Sequence, residues 1–180
     1  MRIAVSLLLF GSIACSAIAE PVTAPIIQDY GPVYYVPEEP LDLPPDVRLK
    51  AVFDIAATPD EPATLNHRLE TVARYLNMHA RAGVPPPQLS AAVVLHGRAT
   101  RSALGQHAFD ERYGQPNPDA ELLRQLTEAG VRIVVCGQSA AALGFRHDEF
   151  APHAEIALSA MTALVMFQTD GFALIPWGTD

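Results

Sequence analysis

The sequence is poor in cysteine and in basic residues. Its 180 residues include two cysteines, Cys15 and Cys136, so cysteine thiolates cannot build a structural zinc site. The 12 Lys and Arg residues are outnumbered by 20 Asp and Glu residues, which argues against nucleic acids and anionic membrane surfaces as partners. Neither a P-loop nor a G-x-G-x-x-G pattern occurs, so we expect no cofactor and no nucleotide-dependent enzyme.

Residues 1–19 have the pattern of a signal peptide. A short positive start and an apolar run precede an A-x-A cleavage site, Ala17-Ile18-Ala19. The apolar run is too short to span a bilayer, so no membrane span is expected. We predict cleavage between Ala19 and Glu20 and a periplasmic or secreted protein. The alternative is a lipoprotein anchored at Cys15, whose flanking residues only loosely resemble a lipobox.

Residues 20–47 are predicted to form an extended arm. They contain seven prolines, interspersed with acidic residues, and such a segment cannot build a core of its own. The arm also carries apolar side chains that are expected to dock on its own domain or on a neighbouring subunit. A disordered leader is the alternative. Residues 48–180 are predicted to form one domain.

In the predicted domain, apolar strands alternate with amphipathic helices. Strands are predicted at Lys50–Ala56, Leu89–Leu95, Val131–Val135, Ala154–Leu158 and Phe172–Ile175. The first helix is predicted to start at Thr58-Pro59 with a capping box of Thr58 and Glu61, and to end at Gly83. Further helical segments are predicted after Gly97, after Asn117-Pro118, after Cys136, and over Ala160–Thr169.

The alternation predicts an α/β fold, with a small, mainly parallel sheet of about five strands and helices on both faces. Segment Ala160–Thr169 contains no charged residue, and a helix that is apolar on most sides is buried on most sides. In so small a domain the simplest cover is another subunit. The sequence therefore predicts a homo-oligomer.

Cys136 is the most informative residue, because it is the only cysteine in the predicted mature chain. It follows the strand Val131–Val135 and precedes the helix-favouring stretch Ser139–Gly144. Ligands collect at the carboxyl ends of strands in α/β proteins, and the start of a helix favours a thiolate. An unpaired cysteine in an exported protein suggests a reactive or an intermolecular thiol. A buried structural cysteine is the equally simple alternative.

His96 is the second candidate catalytic residue. It ends the second strand, and it lies close to Cys136 if the second and third strands are neighbours. It could then pair with the thiolate or carry its proton, although a histidine bonded to backbone is the plainer interpretation. Arg98 and Arg101 follow on the same turn as candidates for binding an anion, or as ordinary solvated side chains.

Two other kinds of site are disfavoured. The remaining histidines show no i, i+4 pair and no fixed third ligand, so no metal is predicted. The sequence Gly137-Gln138-Ser139 resembles part of a nucleophile elbow, but Asp148 and His153 follow too closely to complete a hydrolase triad. Ser139 is therefore expected to cap a helix in its first turn.

Six segments together resemble the DsrE/DsrF-like (YchN-like) family. They are Val52–Ile55, Leu76–Ala80, Val93–Gly97, Val134–Gln138, Leu158–Thr162 and Gly171–Pro176. The resemblance covers roughly residues 50–176 and implies a parallel α/β fold that assembles into trimers or hexamers. The best-understood members are intracellular sulfur-relay subunits that carry a persulfide on a cysteine at a strand end, the position that Cys136 matches.

The resemblance, together with the predicted export, suggests a sulfur-handling or persulfide carrier protein that acts through Cys136 with help from His96. Its partners would be a sulfur donor or acceptor protein, or a small sulfur compound. The alternative is a non-catalytic oligomeric binding or assembly module with a structural cysteine. The accessibility of Cys136 distinguishes between the two.

Overall fold

The computed structural model describes residues 26–34, 36 and 43–177. The strands are β1 (Leu49–Ile55), β2 (Leu89–Leu95), β3 (Arg132–Cys136), β4 (Ala154–Ala157) and β5 (Ala173–Trp177). The helices are α1 (His67–Arg81), α2 (Gln106–Tyr113), α3 (Ala120–Glu128), α4 (Gly137–Ala142) and α5 (Ala160–Thr169). Short 3₁₀ segments lie at Pro86–Gln88, Gly97–Ala103 and His147–Glu149. The predicted strands are confirmed, with their ends shifted by at most two residues.

The strands form one parallel sheet in the order β4-β3-β2-β1-β5. The central strands are apolar on both sides because both faces of the sheet are covered, as is usual for parallel sheets. In the register, Leu95 of β2 lies opposite Val135 of β3. The carboxyl ends of β1, β2 and β3 therefore meet at the same edge, and the predicted fold class is confirmed.

Helices cover the two faces of the sheet unequally. One face packs against the buried sides of α1, α3 and α4 in the larger apolar cluster. The opposite face packs against α5, through Ala160, Ala163 and Phe167. The chain therefore places its first crossovers on one face and its last crossover on the other. Strands β2, β3 and β4 lie on one side of β1 and β5 lies on the other, so the strand order reverses between β1 and β5. Such a point is where α/β proteins often bind ligands.

The predicted start of α1 is wrong. No helix forms at Thr58–Glu61, and α1 begins only after Asn66, whose side chain accepts a hydrogen bond from the Arg68 N–H at 3.2 Å. Pro62 explains the difference, because a proline disfavours the helical conformation of the residue before it. Helix α2 was not predicted, since it buries only Ala108 and Phe109 and lacks a clear apolar period.

Part of the arm lies on the domain. Asn77 of α1 accepts a hydrogen bond from the Ile27 N–H at 2.9 Å and donates to the Ile27 and Tyr30 carbonyls at 3.1 Å. Ile27 joins the larger apolar cluster, so this segment adds to the core. The predicted signal peptide, its cleavage site and Cys15 lie outside the described residues. Within the described residues, no helix is long and apolar enough to cross a membrane.

Candidate functional site

Three polar or reactive side chains lie in a row at the carboxyl edge of the sheet. Asp54 belongs to β1, His96 directly follows β2, and Cys136 ends β3. Side chains alternate between the faces of a strand. Val52, Val94 and Val134, each two residues earlier, all pack under α5. All three residues of the row therefore project on the face that α5 covers.

Cys136 is the N-cap of α4. Its Sγ accepts a hydrogen bond from the Ser139 N–H at 3.4 Å, and it is only 4% exposed. Burial by itself raises the pKa of a thiol, but hydrogen bonds from Ser139, Ala160 and Gln138 outweigh it. The net effect lowers the pKa of Cys136, because these donors stabilise the thiolate.

The donors come from the starts of two helices. Ala160 is the first residue of α5, which Ser159 caps by accepting the Thr162 N–H at 3.0 Å. Gly137 permits this convergence, since a Cβ at this position would lie 2.7 Å from the Ala157 carbonyl oxygen. The end of β4 can therefore approach α4 closely and bring the start of α5 to the thiol.

Ser139 has a role that the sequence analysis missed. It lies in the first turn of α4, as expected, but the N-cap is Cys136 and not Ser139. The Ser139 hydroxyl accepts the Gly97 N–H at 2.9 Å, and the Ser139 side chain also contributes to lowering the pKa of the Cys136 thiol. Ser139 thus links the turn after β2 to the sulfur atom.

His96 is held by a carboxylate. Its Nε2 lies 2.8 Å from Oδ1 of Asp54, and the two side chains are each about 30% exposed. The expectation that β2 and β3 are neighbours is confirmed, so His96 lies between Asp54 and Cys136 in the strand order. The sequence analysis had predicted the position of His96 but not its partner Asp54.

The family model of the DsrE/DsrF-like family matches residues 50–177, which is most of the chain and all five strands. The chain belongs to the DsrE/DsrF-like family. No curated protein sequence matches it.

Two solved structures share the fold of this DsrE-like chain. A protein of unknown function, MTH1491 from Methanobacterium thermoautotrophicum, is similar with a TM-score of 0.53 and 20% identity, over 71% of this chain and 98% of its own. The ychN protein from E. coli is similar with a TM-score of 0.52 and 16% identity, over 72% and 99%. At these identities the likeness concerns the fold alone.

The two candidate arginines of the DsrE-like domain are engaged elsewhere. Arg98 pairs with Asp60, and Arg101 donates to the Pro59 carbonyl oxygen. Both partners belong to the loop between β1 and α1. The arginines therefore fasten this loop to the 3₁₀ segment after β2, and neither hydrogen-bonds to the Cys136 thiol.

The other histidines are dispersed. His67 pairs with Glu70 at 2.6 Å, and His107 pairs with Glu111 at 3.4 Å. The Nδ1 of His79 lies 2.7 Å from the carbonyl oxygen of Tyr75 in the same helix. Over residues 26–34, 36 and 43–177, no group of three or more His, Cys, Asp or Glu side chains could hold a metal ion.

A groove of about 460 Å³ lies between β4 and α5. Apolar side chains such as Met166 and Phe167 line it, together with the ion pair of Arg132 and Glu155. Cys136 is not among its lining residues. The groove is therefore an apolar surface beside the site and not the opening to the thiol.

Ser139→Ala should raise the pKa of Cys136, because it removes a side chain that lowers the pKa of the thiol and leaves the N–H donors. We expect the midpoint of Cys136 alkylation to move up by about one pH unit, equivalent to about 1.4 kcal/mol. The measurement is the pH dependence of the rate with a small alkylating reagent. Ala141→Ser on the exposed side of the same helix is the control and should leave the midpoint in place. An unchanged midpoint in Ser139→Ala would show that the hydroxyl does not act on the sulfur.

Proposed function

We propose that this DsrE-like protein is an exported, homo-oligomeric sulfur carrier that holds a persulfide on Cys136, with His96 assisting. Its partners are a sulfur donor and a sulfur acceptor, which are other proteins or small sulfur compounds. The observation that carries the proposal is the place of Cys136 at the end of β3 and the start of α4, where its Sγ accepts the Ser139 N–H at 3.4 Å and the surrounding donors lower the pKa of the thiol despite burial. Donors that stabilise the thiolate at a helix start are a feature that reactive cysteines share.

The loading step exchanges sulfur between two thiols. The Cys136 thiolate attacks the outer sulfur of a donor persulfide, R–S–SH, and forms a new S–S bond. The S–S bond of the donor breaks, and its electron pair leaves on the R–S⁻ thiolate, which takes up the proton that Cys136 released. The products are the Cys136 persulfide and R–SH, so no external oxidant or reductant is needed.

Intact-mass spectrometry of the protein purified from its native compartment tests whether it carries sulfur on Cys136. We expect a species heavier by one sulfur atom that reductant removes, on a chain beginning at Glu20. Cys136→Ser should abolish loading and keep the fold, because the two side chains are nearly the same size. Purified unloaded protein that takes no sulfur from a persulfide donor contradicts the proposal, and an acylated Cys15 would contradict the cleavage site.

The non-catalytic assembly module remains the second candidate, because Cys136 is only 4% exposed. A sealed cysteine would react with alkylating reagents only after denaturation. The carrier requires a thiolate that a small reagent reaches in the native protein, with a midpoint below the roughly 8.5 of a free cysteine. The same alkylation profile therefore separates the two candidates.

The outer side of α5 supports assembly with a second copy. Three apolar side chains of α5 and one just before the helix are more than half exposed: Met161, Val165, Met166 and Leu158. Helix α5 carries no charged side chain, whereas exposed helix surfaces normally do. A contiguous apolar surface of this kind marks an interaction site, and it lies directly above the face that holds Cys136.

Val165→Asp should lower the oligomeric state, because it places a charge in the contact while its exposed position leaves the monomer core intact. Light scattering measures the change. Met78→Asp is the matched control: Met78 is also an exposed apolar residue, but it lies on α1, across the sheet from α5. A monomeric unmodified protein, or equal effects of both variants, would contradict the assembly through α5.

A further inference from the structure

The row of Asp54, His96 and Cys136 spans three neighbouring strands in the order β1-β2-β3. His96 follows Leu95, whose register partner Val135 precedes Cys136, so the two residues stand side by side at the end of the ladder. Neighbouring strands are about 4.8 Å apart, and both side chains project on the same face. His96 therefore stands between Asp54 and Cys136 in the strand order and is hydrogen-bonded to Asp54, while no hydrogen bond joins it to Cys136 among the described residues.

The hydrogen bond to Asp54 fixes which ring nitrogen faces which partner. A carboxylate only accepts hydrogen bonds, so the 2.8 Å contact places the proton of a neutral imidazole on Nε2. Nδ1 is then the acceptor. Among the described residues, Nδ1 has no hydrogen-bond partner, and it is the nitrogen left for a proton from Cys136.

The neighbouring elements place no competing charge on this row. Helices α4 and α5, which pack beside Cys136, contain no titratable side chain. Arg98 and Arg101 follow His96, but they bond to Asp60 and to the Pro59 carbonyl. Arg132 and Glu155 form an ion pair with each other. Asp54 is thus the charged partner of His96 in the described structure.

We propose that Asp54 is a positioning residue that holds His96 as the acceptor of the Cys136 proton, so that the three residues work as a thiol–imidazole–carboxylate relay. The inference rests on the proposed function of Cys136 and adds a residue to it. This division of roles is the general logic of an activated nucleophile, in which a third group orients the base.

The relay transfers one proton, and it neither gains nor loses electrons. The S–H bond of Cys136 breaks and an N–H bond forms at Nδ1 of His96, which gives a thiolate and an imidazolium. The Asp54 carboxylate stabilises the imidazolium through Nε2–H. After the sulfur exchange, the imidazolium gives its proton to the departing R–S⁻ thiolate, which leaves neutral His96 beside the Cys136 persulfide.

Asp54→Asn tests the relay, because an amide can donate to Nε2 and so favours the wrong tautomer. We expect the midpoint of Cys136 alkylation to rise by about half to one pH unit. Persulfide loading at neutral pH should fall by about tenfold or more, since a positioned base contributes at least that factor. Asp60→Asn, which removes a carboxylate near the same edge, is the control and should leave both unchanged.

A double-mutant cycle shows whether Asp54 acts through His96. In the His96→Ala background, Asp54→Asn should have no further effect on the midpoint. Additive effects, or an unchanged midpoint in Asp54→Asn alone, would overturn the relay. Nitrogen NMR of the His96 ring gives a readout that needs no variant: the wild-type neutral ring should carry its proton on Nε2, and a proton on Nδ1 would also overturn it.

Different experimental results would contradict the sulfur carrier and the relay. A wild-type protein that accepts no sulfur overturns the carrier, while the alkylation profile and the ring tautomer still report on Asp54. A wild-type protein that loads sulfur, with an Asp54→Asn variant that loads equally fast at the same midpoint, overturns the relay and leaves the carrier standing.

Discussion

Asn77→Ala is expected to lower the free energy of unfolding by about 2–4 kcal/mol, because it leaves buried backbone groups without partners. The Asn77 side chain is fully buried and bonds to the N–H and carbonyl of Ile27 and to the carbonyl of Tyr30. The loss is limited by the docking energy of the arm, since the arm can detach before the domain unfolds.

Chemical denaturation and limited proteolysis measure the two parts of this effect. The variant should unfold at lower denaturant concentration, and the arm should become sensitive to protease near Tyr30 before the domain does. Gln125→Ala is the matched control, because Gln125 holds the next residue of the arm, Gln28, through one exposed bond. If the two variants lose the same stability, the buried network around Asn77 is not what fixes the arm.

Much of the fold could be predicted because the decisive residues act locally. The apolar run Leu89–Leu95 identifies a strand buried on both faces, and Ser159 marks the start of α5 through its own side chain. The start of α1 was misplaced for a local reason too. The pair Thr58 and Glu61 matches a capping box, but Pro62 prevents the helical backbone that the box requires.

The site could be predicted only in part, because its chemistry depends on contacts between distant segments. The position of Cys136 at a strand end and helix start follows from its neighbours in sequence. The contribution of Ala160 to the thiol does not follow from the sequence, because a backbone N–H carries no sequence signal. The Ala160 N–H reaches the sulfur only through the packing of β4. Asp54 did carry a signal that was passed over: it is the one acidic residue in an apolar central strand.

Gly137→Ala is expected to disturb both stability and the thiol. The added Cβ would lie 2.7 Å from the Ala157 carbonyl oxygen and 3.4 Å from that of Leu158, so the end of β4 must move away. Such overpacking costs about 1–3 kcal/mol. The shift also draws the Ala160 N–H away from Cys136, so the pKa of the thiol and the midpoint of its alkylation should rise.

Denaturation and the alkylation profile together check this prediction. Gly105→Ala is the control, because Gly105 also lies at the start of a helix, has ordinary backbone angles, and its added Cβ would meet nothing closer than 3.4 Å. Its alkylation midpoint should equal that of the wild type. Alanine favours a helix by about 1 kcal/mol over glycine, so a Gly137→Ala variant of higher stability and unchanged midpoint would show that β4 moves freely. The thiolate would then depend on α4 and Ser139 and not on the start of α5.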